Sequence, residues 1–403
     1  MSISNVKTKA SPGAGPRRTL TQIAGLFRGA WRELAVPLEK RNPFLDGLRA
    51  IAVLLVINYH AAAAFAFKFG KNTYNRFPLT SDGWMGVDLF FVLSGFFIGS
   101  QLWRELSRTG TISFGRFILR RGLRIWPLYF FVFAAVSIIL RHFAASQQYG
   151  WSDVVFLSNY FRHGIVAGSW SLCSEEQFYI LAPLSLLLFA KRSAGACRWG
   201  LLGLLVAELC IRMATFYHLT GHLFVRNPNA MAGMYFPFHT HCDGLIAGML
   251  IANLIAYTNP VKARNLPWLA IAAGLLLLLA VFVFHFESLN FCALAVFFGG
   301  IVWLGTQRVI PIFNAHIFYV LSRLSYGMYL NHEYMRPWVV NHVAPVLLRL
   351  PFGHAGATAL SSLTLVCLST ALSALTFALI EHPFLVLRTA LLQRKAIPLL
   401  VAH

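Results

Sequence analysis

Long apolar runs separated by short polar segments dominate the sequence. Ten such runs are long enough to cross a lipid bilayer as helices, and no segment between them could hold a soluble domain. The sequence therefore predicts an all-α membrane protein, built as a bundle of about ten transmembrane helices. The predicted spans cover residues 44–67, 83–103, 117–140, 175–190, 199–218, 237–256, 267–284, 289–305, 316–342 and 357–387.

Composition excludes a soluble globular protein. Of the 403 residues, 57% are hydrophobic and only 12% are charged, whereas soluble domains carry about 25% charged residues. The net charge of +20 does not indicate a nucleic-acid partner, because the basic residues lie between apolar spans. The six cysteines form no paired motif, so neither a disulfide framework nor a zinc finger is expected.

The distribution of basic residues predicts an orientation. If the N-terminus is cytoplasmic, 25 of the 34 Lys and Arg residues lie on the cytoplasmic side. This asymmetry favours an N-in, C-in protein that crosses the plasma membrane an even number of times. Residues 1–43 form a basic cytoplasmic tail, 44–390 the membrane domain and 391–403 a short cytoplasmic tail. Within the first tail, apolar residues at helical spacing fit either an interfacial helix or an unstructured segment.

The first apolar run contains two ionisable residues, Arg49 and His60. Eleven steps along a helix separate them by about 16 Å along the axis and turn them to nearly the same face. Charges inside a membrane are costly and usually face a bundle interior or a wet cavity. The pair predicts a polar track through the membrane in which His60 could transfer protons. A packed histidine bonded to a nearby carbonyl is the alternative.

Arginines recur at the start of the third run. Arg116, Arg120 and Arg124 follow an i, i+4, i+8 pattern, so they form one basic stripe with Arg121 beside it. Arginine suits bidentate binding of phosphate. The stripe predicts either a phosphate-binding surface or anchoring to lipid head groups.

Several acidic residues lie within the predicted spans. Asp88 is near the start of the second span, where an unpaired carboxylate would be costly. Glu175 and its neighbour Glu176 point about 100° apart on a helix, so one could face the interior and hold an imidazole or a hydroxyl. Glu381 lies near the predicted level of Arg49, where an ion pair could form.

Two further histidine-containing segments are candidates for binding chemistry. His239, His241 and Asp243 alternate, which would suit a metal on a strand but spreads them around a helix. We therefore predict no metal site there or elsewhere. His332 lies in the ninth predicted span.

Seven motifs occur in the order typical of one family. From about residue 43 to 388, the sequence resembles the type 3 acyltransferase family, which comprises integral membrane O-acyltransferases of cell-surface glycans. The resemblance implies a ten-span fold, a cytoplasmic acyl-CoA donor, most often acetyl-CoA, and a hydroxylated glycan or lipid-linked acceptor. The motifs are FLDGLRAIAVLLVINYH, GVDLFFVLSGFFI, RRGLRIWPLYF, SWSLCSEEQFY, HCDGLIAG, SYGMYLNH and EHP.

The resemblance also implies roles for particular residues. The basic-x10-His signature of the family falls on Arg49 and His60, which suggests a general base at His60 and a donor held near Arg49. Glu175 would orient the histidine or the acceptor. The family's arginine motif falls on Arg120, Arg121 and Arg124, and its tryptophan–glutamate segment includes Trp170 and Ser171; Asp88, Asp243, His332 and Glu381 are supporting candidates.

Four positions depart from the family pattern. Cys173 and Ser174 replace the more common Ser and Val, His241 stands where arginine more often precedes the aspartate, and Asn331 replaces a frequent aromatic residue. None of these changes removes the Arg49–His60 pair. The competing hypothesis is a transporter that exports a lipid-linked sugar without covalent transfer, using the same charges within the membrane.

Overall fold

The computed structural model describes residues 16–37, 41–70, 78–139, 144–161, 164–188, 192–259, 261 and 263–394. These residues form helices joined by turns and contain no strand, which confirms the all-α prediction. The first fifteen residues and the last nine of the two predicted tails lie outside the described residues. The helices are α1 Pro16–Ala35, α2 Pro43–Phe69, α3 Pro78–Ser81, α4 Met85–Thr109, α5 Phe114–Ile139, α6 Ala144–Val154, α7 Ser169–Leu188, α8 Ala194–Thr220, α9 Pro228–Tyr235, α10 Asp243–Tyr257, α11 Leu266–Phe284, α12 Asn290–Gln307, α13 His316–Trp338, α14 Ala344–Leu347, α15 Gly353–Thr376 and α16 His382–Arg394.

Seven helical segments in the described part of the chain are long and apolar enough to cross a membrane. Each of the ten predicted spans overlaps a helix, but α7, α10 and α13 are not among these seven segments. Helix α10 has only 15 residues, because its predicted start is occupied by a short 3-10 turn at Phe238–Thr240. The structure therefore supports a multi-span helical protein, with seven spans assigned by length and composition.

Helix α2 begins with a strong local signal. The Asn42 side chain accepts hydrogen bonds from the backbone N–H groups of Phe44 and Leu45, and Pro43 occupies the first helical turn. An asparagine cap followed by proline is a typical helix start, since both accommodate the unpaired N–H groups there. Leu45 and Leu48 then pack into the main apolar core, so the cap sets the beginning of the helix that carries Arg49 and His60.

Helices α2 and α13 run parallel to each other. Near their beginnings the Ser322 hydroxyl donates to Asp46 at 3.0 Å, and near their ends the Lys68 ammonium donates to Asn341 at 2.6 Å. Between these contacts His60 meets α13 as well. Helix α13 therefore runs alongside α2, the helix on which the sequence predicts a polar track from Arg49 to His60.

Helices α4 and α10 cross in close contact through glycines spaced four residues apart. These are Gly95 and Gly99 on α4, and Gly244 and Gly248 on α10. A Cβ atom at Gly95 would overlap the Leu245 carbonyl oxygen, and one at Gly99 would lie 2.9 Å from the Met249 Cα. Small residues at this spacing let helix backbones approach closely within a membrane.

Helix α1 packs against the beginning of α13 rather than forming an unstructured tail. The Tyr319 hydroxyl donates to the Glu33 carbonyl at 2.8 Å, and the Glu33 carboxylate pairs with Arg323. The His316 ring is 2.9 Å from the Leu34 carbonyl oxygen. Of the two predicted alternatives for this segment, the structure has the helix.

Candidate active site

A cavity of about 110 Å³ lies among α2, α4, α5, α7 and α13. Its wall combines charged groups with hydroxyl-bearing and aromatic side chains, a mixture typical of a ligand site. The charged lining residues come from helices far apart in the sequence, so only the folded bundle brings them together. They are Arg49, Arg121, Arg124 and Glu175.

Glu175 is fixed in the wall of this cavity. Its carboxylate accepts a hydrogen bond from the Ser94 hydroxyl at 2.6 Å and another from the Tyr179 hydroxyl at 2.9 Å. All three side chains line the cavity. Glu176, one residue further, instead accepts from the Trp126 indole N–H at 3.1 Å. Glu175 has no contact with His60 among the described residues, so of its two expected roles the one at the histidine is wrong, whereas orientation of the acceptor stays a prediction.

The predicted arginine stripe divides into two groups. Arg121 and Arg124 line the cavity, whereas Arg116 is exposed and Arg120 is half-buried outside the cavity wall. The Arg121 guanidinium lies 5.5 Å from the centre of the Tyr179 ring, which holds it against the wall by a cation–π contact. The arginines that reach the cavity are thus three residues apart rather than four.

A second cavity of about 300 Å³ adjoins the first on the side of α1 and α16. Arg124 lines both cavities and is the residue common to their described walls. Three arginines face a single carboxylate in this second cavity, so its charge is strongly positive. The lining residues are Glu33, Arg124, Arg323, His382, Leu385, Val386, Arg388 and Thr389.

Glu381 lies near this region but does not pair with Arg49. Its side chain is 6% exposed, and its Oε1 atom has no hydrogen-bond partner within the described chain. No ion pair joins Glu381 to Arg49 among the described residues. Arg49 instead places its guanidinium carbon 5.0 Å from the centre of the Phe97 ring, so the predicted Arg49–Glu381 pair is wrong.

His60 belongs to a histidine–carboxylate cluster at the far end of α2. Its Nδ1 atom lies 2.9 Å from His332 Nε2 and 3.2 Å from Glu333 Oε1. The other oxygen of Glu333 pairs with Arg336 at 2.8 Å. The sequence identified both histidines but missed Glu333, although a glutamate directly after a histidine inside an apolar helix was an available signal.

Tyr329 connects the cluster to the first cavity. It lines the cavity, and its carbonyl oxygen is 2.7 Å from His332 Nδ1 one turn further along α13. The Tyr329 hydroxyl is 2.6 Å from the Ser171 hydroxyl and donates to the Gly168 carbonyl at 3.0 Å. Ser171, predicted from the tryptophan–glutamate segment, therefore lies at the cavity and holds this tyrosine.

Asp88 and Asp243 lie in a separate, fully buried polar network. His241 Nε2 is 2.9 Å from Asp88, while the other ring nitrogen is 2.7 Å from the Tyr235 carbonyl oxygen. The Trp170 ring stacks on His241 at 5.8 Å. Neither aspartate nor Trp170 contributes to the described cavity wall, so these three candidates support the surrounding helices.

Arg212 is the other centre of that network, and the sequence did not single it out. Its guanidinium donates to both oxygens of Asp243, at 2.6 and 2.9 Å, and to Glu208 at 3.0 Å. His239, by contrast, contacts the Tyr160 hydroxyl at 3.1 Å. The alternating His239, His241 and Asp243 side chains thus have separate partners.

The sequence also matches known proteins. A family model described as an acyltransferase domain matches residues 42–379. The chain belongs to the acyltransferase type 3 family. The match includes both ends of α2, the first cavity and the histidine–carboxylate cluster, but of the residues lining the second cavity it includes only Arg124 and Arg323.

Curated relatives of this acyltransferase family member carry O-acetyltransferase names. A Staphylococcus aureus (strain COL) protein with a provisional O-acetyltransferase name is 31% identical over 248 residues, which are 56% of this chain and 36% of the relative. Staphylococcus aureus (strain NCTC 8325 / PS 47) O-acetyltransferase OatA is 34% identical over 167 residues, covering 37% and 25% of the two chains.

A third relative, the peptidoglycan O-acetyltransferase OatA of Listeria monocytogenes, is 29% identical over 171 residues, covering 38% of this chain and 25% of the relative. The matched part of this chain thus spans about a third or less of the length of these relatives. No solved structure matches.

Proposed function

We propose that this protein transfers an acyl group, most simply acetyl, from acyl-CoA to a hydroxyl group of a cell-surface glycan. One observation carries the proposal: a single helix, α2, presents Arg49 to a cavity that two further arginines line, and presents His60 to a histidine–carboxylate cluster about three turns later. Anion binding and base chemistry are thus linked by one rigid element within a family of acyltransferases.

The two cavities suit the two ends of an acyl-CoA donor. The phosphate-bearing part would lie in the larger cavity, where Arg124, Arg323 and Arg388 outnumber Glu33. Guanidinium groups bind phosphate oxygens with strong, charge-assisted hydrogen bonds. The acyl end would then enter the smaller cavity past Arg124, which lines both. The excess of basic residues on this side supports our proposal that it is the cytoplasmic face.

The cluster around His60 suits activation of the acceptor. His332 Nδ1 faces a carbonyl oxygen, so in the neutral ring its Nε2 carries a lone pair toward His60 Nδ1. A proton on His60 Nδ1 leaves His60 Nε2 free to accept the proton of an acceptor hydroxyl. The hydroxyl oxygen would attack the thioester carbonyl, the C–S bond would break, and CoA would leave as the thiol after protonation. Glu333 would stabilise the imidazolium that forms, as the carboxylate does in other base–carboxylate pairs.

Glycan is the acceptor class that the relatives support. The Listeria relative is named for peptidoglycan, and the Staphylococcus relatives are named as O-acetyltransferases. The His60 side chain is 31% exposed, so an acceptor approaching the cluster could reach it. We therefore propose a cell-envelope polysaccharide or a lipid-linked oligosaccharide as the acceptor.

The test is transfer of labelled acetyl from acetyl-CoA to extracted envelope glycan, with purified protein in vesicles. His60→Ala should lower the transfer rate by about 10²- to 10⁴-fold, the usual contribution of a general base. His354→Ala changes an exposed histidine and serves as the matched control, with the wild-type rate expected. Equal transfer by His60→Ala at matched expression would exclude the base role, and uptake of label without covalent transfer would favour the transporter.

A further inference from the structure

Three potential metal ligands converge where α2 meets α13. The inward atoms are His60 Nδ1, His332 Nε2 and Glu333 Oε1, separated pairwise by 2.9, 3.2 and 3.3 Å. A tetrahedral zinc ion with ligand bonds of about 2.0–2.1 Å separates its ligand atoms by roughly 3.4 Å. A shift of a few tenths of an ångström would therefore place all three atoms at bonding distance from one ion.

The surroundings of the cluster hold these atoms in a form ready to bind a cation. The contact between His332 Nδ1 and the Tyr329 carbonyl at 2.7 Å places the proton on Nδ1 and directs the Nε2 lone pair inward. Arg336 binds the outer oxygen of Glu333 at 2.8 Å and leaves Oε1 facing the histidines. Metal-binding histidines typically donate their second N–H to a carbonyl or carboxylate in this way.

The two ligand atoms of α13 face the same point beside His60. His332 Nε2 and Glu333 Oε1 lie 3.3 Å apart, and each lies within 3.2 Å of His60 Nδ1. A divalent ion satisfies all three atoms at once, because it accepts electron pairs from each of them.

We propose that His60, His332 and Glu333 form a zinc-type metal site that suppresses acyl transfer when it is occupied. Two imidazoles and one carboxylate are a donor set that zinc accepts, with the fourth position open to water. The proposal replaces the sequence expectation that no metal binds. That expectation considered only residues that are close together in the sequence. His60 and His332, by contrast, are 272 residues apart and come from different helices.

Zinc would suppress acyl transfer because the imidazole of His60 uses one nitrogen to bind the metal and the other to accept the proton. This argument rests on the proposed role of His60 as the base. A metal ion at Nδ1 displaces the proton from that nitrogen, so the neutral ring must carry its proton at Nε2. An Nε2–H group has no lone pair with which to accept the hydroxyl proton. The same histidine therefore acts either as a base or as a metal ligand, and zinc competes with catalysis.

Binding is tested without substrate. Protein purified in detergent without a polyhistidine tag, and stripped with EDTA, is titrated with Zn²⁺ by calorimetry; bound metal is then counted by elemental analysis after gel filtration. We expect one ion per chain in the wild type and in His354→Ala, and at least tenfold weaker binding in Glu333→Gln and in His332→Ala. Gel-filtration profiles confirm that the variants are folded. Absence of binding in the wild type, or wild-type affinity in both cluster variants, would overturn the site.

The effect on catalysis is a separate measurement. Transfer of labelled acetyl by the wild type should fall in proportion to zinc occupancy and should return after addition of EDTA. Zinc-loaded protein that works at the metal-free rate would overturn the suppression, as would loss of activity on removal of metal. Because binding is measured without donor or acceptor, zinc binding and acyl transfer can fail independently.

Discussion

Arg124 is the residue at which the proposed donor site can be tested most directly. It lies on α5 and lines both the larger basic cavity and the smaller cavity near Arg49. The change Arg124→Gln removes the positive charge but keeps a long polar side chain. A donor whose phosphates lie in the larger cavity and whose acyl end lies in the smaller one would pass this residue, so the change should weaken donor binding.

The expected loss of donor affinity depends on the hydrogen bonds that Arg124 would make and on the basic residues that remain in the larger cavity. A hydrogen bond to a charged group contributes about 1.5–3 kcal/mol, and each 1.4 kcal/mol is about tenfold in affinity. Arg323 and Arg388 still face Glu33 in the larger cavity of the variant, so binding should weaken without being abolished. We expect the apparent KM for acetyl-CoA to rise about 10- to 150-fold, while kcat at saturating donor changes much less.

The assay is acetyl transfer at fixed acceptor over a range of donor concentrations. Arg116→Gln is the matched control, since Arg116 belongs to the same helix and to the same predicted basic stripe but is exposed and lines neither cavity. Its KM should equal that of the wild type. A lower kcat with unchanged KM in Arg124→Gln would refute the donor-binding role, and an equal rise of KM in Arg116→Gln would show that bulk charge, not the cavity, attracts the donor.

Two further predictions concern the stability of the bundle, both measured as thermal unfolding in detergent. Gly95→Ala should lower stability by about 1–3 kcal/mol, because the new methyl group would meet the backbone of Leu245; Gly115→Ala, where no atom lies within 4 Å, should cause no loss. Arg212→Met should cost about 3–5 kcal/mol, since it leaves Asp243 and Glu208 buried without their shared cation. The exposed Arg226→Met should stay within about 0.5 kcal/mol of the wild type, and a similar loss in both arginine variants would contradict the buried-pair argument.

The sequence located the helix on which the site depends. Helical periodicity and the cost of charge in a membrane were enough to place Arg49 and His60 on one functional axis, and the structure has Arg49 in a cavity wall and His60 in a polar cluster. These arguments work because both residues belong to one regular helix, whose rise and rotation per residue are known. The neighbours of each residue are set by packing between helices, which periodicity within one helix does not determine.

The contacts of Glu175 and Glu333 illustrate that limit. Glu175 was expected to orient the histidine or the acceptor, and it bonds Ser94 and Tyr179 at the cavity wall rather than His60. Glu333 lies beside the histidine because α13 runs parallel to α2 and brings its fifth turn next to His60. The arginine stripe shows the same effect on a single helix: spacing predicted one surface, but the packing of α5 turns Arg121 and Arg124 inward and leaves Arg116 exposed.

The separation between the two ends of α2 constrains any mechanism of transfer. Arg49 and His60 are about 16 Å apart along the helix, so a donor held only at the arginines would not bring its acyl carbon to the imidazole. Tyr329 lies on the route between them, because it lines the cavity while its backbone oxygen holds His332. In the proposed reaction the acyl end would therefore extend beyond the basic cavities toward Tyr329. A donor with a long, flexible arm between its phosphates and its thioester would meet this requirement, which is why we propose acyl-CoA rather than a small activated acyl phosphate.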